Sequence, residues 1–117
     1  MTKRFLCRIL LLLIAAATQT LHLAHAQAVN EAAARRHVEG LAMEQRGDEK
    51  GAFKAFRAAG EAGYPPAQRR LGEIYDNGNA AVPRNYAESI RWYEKARAGG
   101  EQIPPQKSPM PVNSIKP

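Results

Sequence analysis

His37 is the residue best suited to metal or acid–base chemistry beyond the first 26 positions. A lone imidazole with no cysteine or second histidine nearby lacks the ligand spacing of a zinc site. It is expected on the exposed side of a helix, next to Val38. Nucleophiles are no better placed. Ser89 falls at a helical packing position and Ser108 in a Pro-rich tail, and neither forms a visible nucleophile–base pair. Asp48-Glu49 sits where a helix begins, so its carboxylates complement the helix dipole. Glu94 lies beside Lys95 on a solvated face and does not suggest acid–base work. Gly60, Gly63, Gly99 and Gly100 fall where helices stop, and no glycine-rich phosphate loop follows a strand. No catalytic residue, metal or cofactor is expected. What remains is a polar stripe of Arg69, Arg70, Glu73 and Asn77 on one helix, with Arg36 nearby. One reading of that stripe is an ordinary solvated helix face.

The elements that carry these residues begin after a segment with the three parts of a secretory signal. Lys3, Arg4 and Arg8 supply positive charge, Ile9 to Ala17 is an unbroken apolar run, and Ala24-His25-Ala26 is a small-x-small cleavage site. Cleavage would leave Gln27 as the N-terminus. Nine apolar residues are too few to cross a bilayer core of roughly 30 Å. The alternative is an uncleaved N-terminal anchor. Cys7 precedes the apolar run and is not placed to accept a lipid.

Removing residues 1–26 takes away three of 17 Lys+Arg and none of 11 Asp+Glu, so the net charge falls from +6 to +3. That excess is spread along helices, without the clustered cations and aromatic platforms of a nucleic-acid surface. It favours acidic partners mildly. The remaining 91 residues contain no cysteine, so neither disulfide staples nor thiolate metal sites are available. They suffice for one small domain with a modest core.

Four helices are expected. The first spans about 29–46, with Ala34, Val38, Leu41 and Ala42 as its buried stripe and Gly47 ending it. The second spans about 49–61 after an Asp48 cap, with Ala52, Phe53, Phe56 and Ala59 inward. Pro65-Pro66 opens the third, about 67–77, which buries Ala67, Leu71, Ile74 and Tyr75 and stops at Gly78. The fourth, about 85–98, has the Asn85/Glu88 spacing of a capping box. Tyr86, Ile90, Tyr93 and Ala96 trace its inner side, which Ser89 and Trp92 widen. From Ile103 onward five of 15 residues are proline, and this tail is expected to be disordered or polyproline-like.

Asp48 and Asn85 each start a helix, and alignment on them pairs Ala52 with Ser89, Phe53 with Ile90, Phe56 with Tyr93 and Ala59 with Ala96. Small matches small and bulky matches bulky, as two copies of one helical hairpin require. Residues 67–100 resemble a Sel-one-like repeat (SLR), a relative of the tetratricopeptide repeat (TPR), through Ala67, Leu71-Gly72, Tyr75, Gly78, Val82, Tyr86, Trp92-Tyr93 and Lys95-Ala96. Residues 31–64 resemble a more degenerate unit. The loop after Gly78 departs from the family pattern in lacking a second glycine.

The resemblance implies an all-α fold of two stacked antiparallel hairpins, a TPR/SLR-like α-solenoid fragment. The domain is expected over 27–102, between the signal at 1–26 and the tail at 103–117. Ala52, Phe56, Ala59, Ala67, Leu71, Gly72, Tyr75, Gly78, Tyr86, Trp92, Tyr93 and Ala96 are then packing residues, and first helices line a concave face, which makes Arg69, Arg70, Glu73 and Asn77 the candidates for partner contact and Arg36 a nearby alternative. The implied function is non-enzymatic: an adaptor or assembly factor that binds a protein or extended peptide. Its expected location is the periplasm of a Gram-negative bacterium, or outside the cell. An inhibitor or accessory subunit of an envelope enzyme, a small hydrolase, and a remnant of a longer repeat protein are the alternatives. Arrays of this kind usually need about three units. Two therefore call for self-association, a partner, or a first helix that acts as a cap.

Overall fold

The computed structural model describes residues 2–103, and the Pro-rich stretch from 104 onward lies outside the described residues. Four helices occur among them: α1 (Thr2–Gln45), α2 (Glu49–Glu61), α3 (Pro65–Asn77) and α4 (Tyr86–Ala98). α1 packs on α2, α3 on α4, and α2 on α3, which gives two antiparallel hairpins stacked through their central helices.

The last three helices start and stop where local chemistry dictates. Asp48 accepts the Gly51 N–H at 2.9 Å, which satisfies one orphan donor of α2. Pro65 and Pro66 occupy the first turn of α3, where a missing N–H costs nothing. Asn85 accepts the Glu88 N–H at 3.2 Å. The capping box expected there is only half formed, because the Asn85 N–H donates to the Tyr75 carbonyl and the Glu88 carboxylate pairs with Arg91.

α1 departs from expectation in two ways. It is 44 residues long and runs unbroken from the apolar N-terminal segment into the repeat domain. No proline interrupts it, and its alanine- and leucine-rich sequence favours helix throughout. At 1.5 Å per residue it spans about 66 Å. Residues 2–32 are all exposed. Leucines and alanines flanking the nine-residue run extend it, so α1 includes an 18-residue window of mean hydropathy 1.7, long and apolar enough to cross a membrane.

The second correction concerns which side of α1 faces inward. Val38 is 63% exposed, Leu41 and Ala42 are exposed, and Ala34 is only half-buried. The buried positions are Ala33 and Gly40, with His37, Met43 and Glu44 half-buried. The inward stripe is therefore Ala33-His37-Gly40-Glu44, one residue away from the apolar one. Close approach selects these small and polar residues: a Cβ on Gly40 would sit 2.6 Å from the Phe56 ring.

The core has two parts. Ala52, Phe53, Phe56, Leu71, Ile74 and Trp92 form the larger cluster, with Met43, Tyr75, Ala81 and Val82 packed on it. Ala33, Ala59 and Ala67 form a smaller one where α1, α2 and α3 meet beside Tyr64. Phe53 of α2 meets Tyr75 of α3 edge to face, 5.8 Å between centroids, a favourable aromatic geometry that joins the hairpins. Ser89, Trp92, Tyr93 and Ala96 are buried on α4, and Tyr86 is half-buried. Ile90 is 45% exposed, contrary to expectation. Its counterpart Phe53 is covered by α3, whereas among the described residues no helix follows α4 to cover Ile90.

Candidate functional site

The polar stripe of α3 does not stand free in solvent. The Arg70 guanidinium grips Glu44 of α1 with Nη2 2.8 Å from both carboxylate oxygens, and its Nη1 reaches Glu73 at 2.6 Å. Arg69 holds the other oxygen of Glu73 at 2.7 Å and reaches Glu101 at 3.2 Å. Two cations and three carboxylates thus tie α1, α3 and the segment after α4 together. Planar guanidinium–carboxylate forks of this kind fix orientation as well as charge.

Below this network lies a groove of about 300 Å³ lined by Glu44, Glu49, Arg70, Glu73, Ile74, Asn77, Gly78 and Asn79. Both hairpins contribute to it. Its floor is Ile74, and most of its wall is polar. Asn77 lies at the exposed edge, where its Nδ2 donates to the Glu73 carbonyl at 3.0 Å. Three lining carboxylates against one lining guanidinium, with Arg69 on the flank also paired to Glu73, leave the groove mildly acidic, although the whole chain is basic.

Asn79 organises the α3–α4 loop. Its Oδ1 accepts the N–H groups of Ala81 and Val82, an Asx-type turn that stands in for the absent second glycine. Gly78 adopts φ +73°, and a Cβ there would sit 2.8 Å from the Arg84 nitrogen, so a glycine is required. Glu49 accepts the Ala80 N–H at 2.6 Å, which fastens this loop to the first hairpin.

Of the residues singled out in the sequence, Arg70, Glu73 and Asn77 come together in the groove, while Arg69 sits on its flank through Glu73. Arg36 lies elsewhere, on an outer groove of α1 and α2 with Arg35, Glu39 and Lys54. Glu44, Glu49 and Asn79 were missed. Asp48-Glu49 does open a helix, but Glu49 also spans 31 residues to the loop. Ser89 is buried and donates to the Gly72 carbonyl at 2.8 Å. Among the described residues, no group of three or more His, Cys, Asp or Glu side chains could hold a metal ion.

His37 is not on the exposed side of α1. Its ring lies 5.4 Å from that of Phe56 and 5.5 Å from that of Tyr64, and its buried Nδ1 has no hydrogen-bond partner.

Antiparallel hairpins stacked through their central helices, with polar side chains of both hairpins facing a shared groove, have the architecture of a helical-repeat fold. The family model of the Sel1 repeat matches residues 65–101, which is α3, its loop, α4 and the closing glycines. The second hairpin thus matches the Sel1 repeat, a helical module associated with protein–protein interaction. No curated protein and no solved structure matches the chain.

Proposed function

We propose that this chain is an exported, non-catalytic interaction module whose groove between α1 and α3 takes an extended segment of a partner protein, in an adaptor or assembly role. The observation that carries this reading is the groove itself, built by both hairpins and walled by Glu44, Glu49, Arg70, Glu73, Asn77 and Asn79. Backbone amides and carbonyls of an extended segment can be matched by such side chains without any folding of the partner. Export is supported by Lys3, Arg4 and Arg8, the apolar run and the Ala24-His25-Ala26 motif, all on an exposed segment.

The groove's charge reverses the inference drawn from composition. Complementarity is set by the local field, and the mildly acidic groove favours a cationic segment. The test is fluorescence anisotropy with extended peptides rich in Lys/Arg, rich in Asp/Glu, or uncharged. The cationic set should bind best and weaken with salt. Asn77→Lys adds a positive charge at the edge of the groove without breaking an ion pair, and should weaken that binding by about tenfold, roughly 1.4 kcal/mol. Equal binding of all three sets, or tighter binding of the acidic set, overturns the charge assignment.

A further inference from the structure

His37 lies on the inward stripe of α1, against α2 and the turn that joins the two hairpins, and has no functional role described so far. Its own helix carries Glu44 one face-repeat further on. α2 presents Phe56, the α2–α3 turn presents Tyr64, α3 presents Arg69 and Arg70, and the segment after α4 presents Glu101. The ring is therefore wedged between two aromatic side chains while two fixed cations act on it from α3. Its buried Nδ1 has no acceptor that could take a proton's hydrogen bond. A neutral imidazole suits this place as a flat, weakly polar packing group. A charged one loses hydration and gains an unpartnered N–H.

We propose that His37 is a proton-operated latch: neutral, it packs the two hairpins together, and protonated, it repels the arginines of α3 and loosens the seam. The charge balance around it has the same sign. Burial holds the His37 pKa below the usual 6.5, Arg69 and Arg70 push it the same way, and Glu101 and Glu44 oppose them. A group whose folded pKa is lowered binds its proton more readily when unfolded. Its stabilisation is therefore complete above about pH 6.5 and is lost as pH falls through the folded value. The effect reaches the groove because Arg70 belongs to both the seam and the groove wall.

The test uses the full chain and reads the seam alone, so its outcome is separate from that of the binding proposal. The His37 ring is titrated by NMR, and urea midpoints are measured at about pH 7.5 and about pH 5.5, above the carboxylate range. The expected results are titration of His37 below pH 6.5 and a midpoint that drops on acidification. His37→Gln should remove that drop, and Arg69→Gln should move the His37 titration upward. Titration at or above 6.5, or the same acid loss in His37→Gln, overturns the proposal. If His37→Gln does not fold, His37→Met serves as comparator and the NMR titration of the unsubstituted chain decides.

Discussion

Gly72 of α3 lies so close to Tyr93 of α4 that a Cβ at position 72 would stand 2.7 Å from the Tyr93 ring. Gly40 of α1 stands in the same relation to Phe56 of α2. The two hairpins therefore share one packing device, an aromatic of the second helix seated on a glycine of the first. Gly72→Ala should cost stability despite the better helix propensity of alanine. Overpacking of this kind costs about 1–3 kcal/mol against a propensity gain of about 1 kcal/mol. Urea denaturation checks the sign, and Tyr93→Leu in the same chain should recover part of the loss.

Phe56 is fully buried at the meeting of both hairpins, whereas Ile90 is 45% exposed. Phe56→Ala should cost about 3–5 kcal/mol, enough to unfold a domain this small. Ile90→Ala should cost far less, about 1 kcal/mol, since nearly half of its surface stays in water after folding. Thermal unfolding followed by circular dichroism separates the two.

Both ends of the stack are largely polar, Ile90 of α4 apart. Aligned on Gly40 and Gly72, the exposed residues Arg35, Arg36 and Glu39 of α1 occupy the positions that Ala67, Gln68 and Leu71 use to meet the first hairpin. At the other end Arg97 replaces Gly60, where a Cβ would meet Leu71 at 2.8 Å. Terminal units with polar outer faces close a repeat array. The domain freed of residues 1–26 should therefore run as a monomer in sedimentation equilibrium. A stable dimer would show that an end face is covered by a second copy.

The sequence revealed α2, α3 and α4 almost to the residue, because caps, prolines and stop glycines are local signals. It placed Phe56, Leu71 and Trp92 in the core because their spacing is helical. It misread α1, whose inward residues Ala33, His37 and Gly40 are chosen by space rather than hydrophobicity. Ile90 was misread because its repeat position is apolar while its neighbour is absent among the described residues. The Arg70, Glu73 and Asn77 side of the groove was legible as a stripe on one helix. Glu44 and Asn79 were not, since the first arrives from 26 residues away and the second acts through its loop.

The most direct test of the account is site-specific photocrosslinking in the cells that make the protein. A photoreactive residue replaces Asn77 in the groove, or Arg57 or Glu94 on exposed positions outside it. The account predicts a discrete adduct with a partner protein from position 77 and none from 57 or 94. Adducts of equal strength from all three positions, or adducts from the outer positions alone, would contradict it.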